Sequence, residues 1–199
     1  HIQKQLNKRV NEWLYEKGVR IHTNLDPKLQ THAVQTVQRI LKDKNIEAAA
    51  VIIDHENGTI PAVVAGKNFR RNTLNYAYQV YRQPGSAIKP LLVFAPYIEK
   101  TGASPSQTID ASRFCKGSFC PKNYGNASYG NVTLEKAFTS SINTAAVRLM
   151  NSVGIQESFQ YVKPFQFEKV GKNDYHLASA IGGFTYGVSP SELTKAYTT

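Results

Sequence analysis

The stretch Gln83-Pro84-Gly85-Ser86-Ala87-Ile88-Lys89-Pro90-Leu91-Leu92-Val93-Phe94-Ala95 constrains this chain more than any other. Pro-Gly is a breaker, so a helix must begin at about Ser86. Pro90 then falls in the first turn or so, where its missing N–H costs little. The apolar run after it reads as a buried helix carrying a polar pair at its N-terminal tip. Such a helix, with its polar end in a cleft, suits an active site better than a surface segment. Ser86 and Lys89 are three apart and share one face of the tip. A serine hydroxyl is a poor nucleophile unless a base stands beside it, and a lysine that is neutral when it acts can be that base. The positive end of the helix dipole favours an oxyanion and disfavours a protonated amine. The Ser-x-x-Lys spacing alone arises by chance in chains of this size. Its place at the tip of a buried helix is what makes Ser86 and Lys89 a candidate nucleophile and base.

A second constellation follows downstream. Thr139-Ser140-Ser141-Ile142-Asn143-Thr144-Ala145-Ala146-Val147-Arg148-Leu149 holds Ser141 and Asn143 in a Ser-x-Asn triplet. Both residue types also make good helix caps, and that is the plain reading of the triplet by itself. Two such segments, in this order and in these contexts, carry more than either alone.

Together these segments resemble the transpeptidase domain of class A, bifunctional penicillin-binding proteins. In that family S-x-x-K is followed by S-x-N and then by K-T-G or K-S-G. Supporting stretches are Ile21 to Gln30, Ala49 to Asp54 with Ala62 to Gly66, and Gly182-Gly183-Phe184-Thr185-Tyr186-Gly187-Val188-Ser189-Pro190. The resemblance covers roughly residues 18 to 199. It implies an α+β fold of the serine β-lactamase and penicillin-binding kind, helices packed on an antiparallel sheet. It divides the chain into a linker with an N-terminal helix (residues 1–25) and the N-terminal portion of the transpeptidase domain (residues 26–199). By resemblance, Ser86 attacks the penultimate D-Ala carbonyl of a peptidoglycan stem peptide and Lys89 takes its proton. Ser141 relays a proton to the departing D-Ala, and Asn143 holds the substrate amide and Lys89. β-Lactams, which mimic D-Ala-D-Ala, would trap Ser86. The same residues would serve a D,D-carboxypeptidase or a β-lactamase-like acyl-serine hydrolase, or persist in a non-catalytic module. No cofactor or metal is implied. The resemblance also places a membrane anchor and a glycosyltransferase domain upstream of His1, and the protein on the extracytoplasmic face of a bacterial membrane.

Lys100-Thr101-Gly102 matches the family's third motif letter for letter but stands in the wrong place. It closes the apolar helix that Ser86 opens, where Lys suits the negative dipole end and Gly102 a left-handed cap. No K-T-G or K-S-G follows Asn143. The expectation is therefore a domain interrupted before its third motif, holding the first two strands and most helices, and impaired as an enzyme when isolated.

The remaining features are less specific. The balance of 24 Lys plus Arg against 14 Asp plus Glu suggests nucleic acid first, yet no binding motif accompanies it. An anionic wall and membrane surface explain the same charge. With 41% hydrophobic residues, the composition favours a folded chain over a disordered one. Ile2, Leu6, Val10, Trp13 and Leu14 follow helical spacing rather than a signal peptide. Ala103 to Gly130 reads as loop, and within it Cys115 and Cys120 are either a disulfide or two thiols. Asp26 caps a helix with Pro27 first and Leu29, Ala33, Val37, Ile40 and Leu41 inward. Val51–Ile53 and Ile60–Val64 read as a hairpin around Glu56-Asn57-Gly58, with Pro61 at an edge or strand start. Ser189-Pro190-Ser191-Glu192 is a capping box. His32, His55 and His176 have no ligand spacing.

Overall fold

The computed structural model of the chain describes residues 20–70 and 72–198. The helical spacing of Ile2 to Leu14 lies outside them. Helix α1 (Pro27–Ile40) begins where Asp26 Oδ1 accepts from the N–H groups of Lys28 and Leu29 at 2.8 and 3.1 Å. Leu29, Ala33 and Val37 are half-buried and Leu41 is buried, but Ile40 is 57% exposed, against expectation. The reason is angular. Residues 29, 33, 37 and 41 form one i+4 row, and Ile40 stands beside it.

Strands β1 (Ala50–Ile52) and β2 (Ala62–Val64) pair antiparallel, Val51 opposite Val63. Their turn is built by Asp54, whose carboxylate accepts from Glu56 N–H and the Asn57 side chain, with Gly58 at φ 69°. The other edge of β2 is covered from α1. Gln30 donates to the Val63 carbonyl at 2.9 Å and accepts from Val63 N–H at 2.8 Å, as one residue of a neighbouring strand would.

After a short turn, α2 (Tyr76–Gln79), the central helix runs unbroken from Gly85 to Thr101 with a changing pitch. It opens as a 3₁₀ turn over Gly85–Ile88, one residue earlier than expected, widens to a π-turn over Pro90–Phe94, and ends as α3 (Ala95–Thr101). Pro96 explains the widening. It has no N–H for the Leu92 carbonyl, and its ring would strike that carbonyl in a regular α-turn. In the wider turn Ala95 N–H reaches back to Pro90 instead. Ile88, Leu92, Val93 and Phe94 are all buried.

The region read as loop holds a strand the sequence does not announce. β3 (Thr108–Asp110) pairs antiparallel with β4 (Asn131–Thr133). Three residues are too short for a period-2 pattern, so placement decides this pairing. Helices α4 (Leu134–Thr139), α5 (Asn143–Val153) and α6 (Ile155–Val162) follow. Ala145, Ala146, Val147, Leu149 and Met150 of α5 join the central helix in one core with Phe159, Phe184 and Val188. Cys115 and Cys120 are joined by a disulfide. α7 (Pro190–Ala196) opens with the expected capping box, Ser189 and Glu192 bonding reciprocally. No helix among the described residues is long and apolar enough to cross a membrane.

Candidate active site

The 3₁₀ opening of the central helix has a direct consequence for the pair at its tip. At three residues per turn, i and i+3 eclipse. Ser86 and Lys89 therefore line up along the axis, with Lys89 N–H bonded to the Ser86 carbonyl. The first bond of the turn runs from Ala87 N–H to Pro84 at 3.2 Å. The N–H of Ser86 precedes it and is one of the orphan donors of a helix start. Ser86 is exposed, and its hydroxyl has no partner among the described residues. Lys89, one turn in, is 2% exposed.

Lys89 reaches across to the segment between α4 and α5. Its Nζ donates to the Ser141 carbonyl at 2.6 Å, to Ser141 Oγ at 3.0 Å and to Asn143 Oδ1 at 2.7 Å. The three acceptors match the three protons of an ammonium. Burial nevertheless lowers its pKa from 10.5 to about 8. The low-dielectric site disfavours the charged form. Two acceptors, the carbonyl and the amide oxygen, can only accept. Ser141 Oγ can also donate, so it is the contact that can reverse when Nζ loses a proton.

Ser141 holds this position through its backbone. It sits at φ 48°, in the left-handed region, between the end of α4 and the start of α5. A serine there is uncommon and costs of order 1 kcal/mol. The conformation turns both its carbonyl and its hydroxyl to Lys89. The helix-cap reading of the triplet does not hold. Ile142, not Ser141 or Asn143, is the N-cap residue of α5, and its side chain makes no capping bond. Asn143 is fixed at both ends, since its Nδ2 donates to the Lys122 carbonyl at 2.8 Å.

Sequence reasoning missed the support around these four residues. Asn123 Oδ1 accepts from Thr144 N–H at 3.1 Å, and the buried Thr144 hydroxyl donates to the Ala111 carbonyl at 2.6 Å. These bonds bolt the loop carrying Lys122 to the start of α5. The Gly-rich stretch from Gly182 clamps the chain just before Ser86. Arg82 and Val188 exchange both backbone bonds at 3.1 and 2.9 Å, and Gln83 Nε2 donates to the Phe184 carbonyl at 3.0 Å. A Cβ on Gly182 would lie 2.3 Å from Gly85 N, and one on Gly187 would lie 1.9 Å from the Arg82 carbonyl oxygen. Both glycines have positive φ. The buried carboxylate of Asp174 holds the clamp from behind, accepting from Thr185 N–H at 2.7 Å and Gly171 N–H at 2.9 Å. The glycines themselves were the readable signal; Asp174 and Asn123 left none.

Lys100-Thr101-Gly102 lies at the far end of the central helix, as its position predicts. Lys100 Nζ bonds the Val153 carbonyl and Glu157, Thr101 Oγ1 bonds the Tyr97 carbonyl, and Gly102 caps the helix at φ 66°. His32 and His55 are exposed and His176 is half-buried.

Comparison with known proteins gives one consistent answer. The family model described as penicillin binding protein transpeptidase domain matches residues 48–199. Penicillin-binding protein 4 of Bacillus subtilis is 48% identical over 198 residues, covering 100% of this chain and 32% of that protein. Penicillin-binding protein 1A of Aquifex aeolicus is 38% identical over 159 residues, covering 77% of this chain and 21% of its own length. The chain thus spans about a third or less of these relatives. Among solved structures, penicillin-binding protein 1A from Haemophilus influenzae superposes with TM-score 0.66 at 28% identity, over 76% of this chain and 23% of that one. The PonA1 protein from Mycobacterium tuberculosis in complex with penicillin V superposes with TM-score 0.80 over 98% of this chain and 54% of its own, at 21% identity, a likeness of fold. An α+β chain that aligns Ser86 with a buried Lys89 and secures that lysine from a Ser-x-Asn turn therefore belongs to the penicillin-binding protein transpeptidase family.

Proposed function

We propose that this chain carries the first two active-site segments of a peptidoglycan D,D-transpeptidase working through a Ser86 acyl-enzyme. The observation that carries the reading is the buried Lys89 amine, its pKa lowered to about 8, held by Ser141 and Asn143 one turn below an exposed Ser86 hydroxyl that has no partner among the described residues. Ser86 Oγ attacks the penultimate D-Ala carbonyl of a stem peptide, and its proton passes to neutral Lys89. The oxyanion forms at the start of the central helix, beside the free N–H of Ser86. As the amide C–N bond breaks, the proton moves through the reversible Ser141 contact to the departing D-Ala nitrogen. The remaining Asn143 Nδ2 proton would be available to a substrate carbonyl. An amine from a second strand then attacks the Ser86 ester, closing the cross-link and restoring the hydroxyl. β-Lactams, which mimic D-Ala-D-Ala, would acylate the same serine; the fold neighbour PonA1 forms a complex with penicillin V. Residues 26–199 are read as one unit, because α1 completes the edge of β2. The bifunctional context and an extracytoplasmic, membrane-anchored location are proposed from the class A relatives.

The test is mass spectrometry after incubation of the full-length protein with penicillin. One adduct should appear on the peptide containing Ser86, and Ser86→Ala should abolish it. An adduct surviving that substitution refutes the assignment. The adduct's lifetime separates a transpeptidase from a β-lactamase, which would clear it within seconds.

A further inference from the structure

Around the loop that precedes α4 and α5, several charged side chains are matched. Asp110 takes Arg148 at 3.1 Å, and Lys116 donates to Asn151 Oδ1 at 2.7 Å. Arg113 and Lys122 differ. Among the described residues neither side chain has a hydrogen bond or an ion pair. Both line one cleft of about 250 Å³, with Asn126, Ser128, Tyr129 and Thr144 also on its walls and no carboxylate among the residues lining it. The cleft is a firm feature, because Asn123 ties its loop to Thr144 and Thr144 is bonded in turn to the Ala111 carbonyl.

The cleft also adjoins the reacting groups. The Lys122 carbonyl is the partner of Asn143 Nδ2, and Thr144 on the cleft wall directly follows Asn143. Its volume is below that of a site for a whole small molecule, so it suits one group of a larger ligand. A guanidinium fork and an ammonium with no internal counter-charge select an anion, and a planar carboxylate fits the fork best. Hydroxyl and amide groups of Ser128, Tyr129 and Asn126 can serve its remaining lone pairs.

We propose that this cleft is a subsite for a carboxylate carried by the acyl-donor peptide, N-terminal to the bond cut at Ser86. The inference rests on the acyl-enzyme reading above and adds to it a substrate preference. The site would favour donors with a free acidic side chain over those in which that group is amidated.

The test uses the full-length protein and two D-Ala-D-Ala peptides. They differ only in whether one side chain before the reacting D-Ala bears a carboxylate or its carboxamide. The readout is the ratio of their kcat/KM values for D-alanine release. The carboxylate form should be preferred by ~10-fold or more at low salt, and the preference should shrink as salt screens the exposed cations. Arg113→Gln combined with Lys122→Gln should bring the ratio to about one, and the corresponding pair of Glu substitutions should invert it. Both peptides meet the same Ser86 and Lys89, so general damage cancels in the ratio. A wild-type ratio near one, a preference unchanged in the variants, or release from neither peptide by a protein that penicillin still acylates would overturn the subsite. Absence of a penicillin adduct on wild-type Ser86 would instead remove the acyl-enzyme reading beneath it.

Discussion

Lys89 should set the pH dependence of acylation, and the structure fixes where. With its pKa lowered from 10.5 to about 8 by burial, roughly a tenth of the amine is neutral at pH 7 and about nine-tenths at pH 9. At the ordinary value the neutral fraction at pH 7 would be only about 0.03%, so burial raises the supply of base about 300-fold. The second-order rate of acylation by a fluorescent penicillin should therefore climb ~10-fold from pH 7 to 9, bend near pH 8 and level off. Labelling in stopped flow at constant ionic strength gives this profile. A rate still rising tenfold per unit through pH 9, or one flat from pH 6 to 9, would refute Lys89 as the base. Stability should carry the same signature, with its sign fixed by the folded value lying below the unfolded one. Below pH 8 the folded chain bears the full cost of the buried ammonium, about 3 kcal/mol. Between about pH 8 and 10.5 it binds fewer protons than the unfolded chain, so stability rises across that window. Urea midpoints should show this rise in the wild type and lose it in Lys89→Met.

Gly182→Ala should slow penicillin acylation by ~10², because a Cβ 2.3 Å from Gly85 N must push the turn carrying Ser86 by about 1 Å, and such a displacement costs about that much. The comparison is made on protein whose circular dichroism matches the wild type, and a loss under threefold would show that the clamp does not position Ser86. Thr101→Val should leave acylation within about threefold, since Thr101 lies ~20 Å along the helix from Ser86 and its hydroxyl bonds the Tyr97 carbonyl. A hundredfold loss there would place Lys100-Thr101-Gly102 in the active site after all.

What the sequence determined by itself was local. The Pro-Gly break, the apolar run after Lys89, the Asp26 and Ser189 caps and the Asn-Gly turn are set by residues within a few positions of one another. Each therefore appeared where it was expected, with the central helix starting only one residue early. Ser86 and Lys89 were legible for the same reason, as neighbours on one helical turn. Only the tertiary structure could decide what Ser141 and Asn143 do. Their composition fits a helix cap, and it is the left-handed backbone of Ser141 that turns them to a lysine from another helix. The pairing of β3 with β4, the hold of Asp174 on the Gly182–Val188 clamp and the cleft between Arg113 and Lys122 likewise join residues far apart in the chain. The lowered pKa of Lys89 belongs with them, because desolvation is a property of everything packed around an amine and not of the residues beside it in sequence.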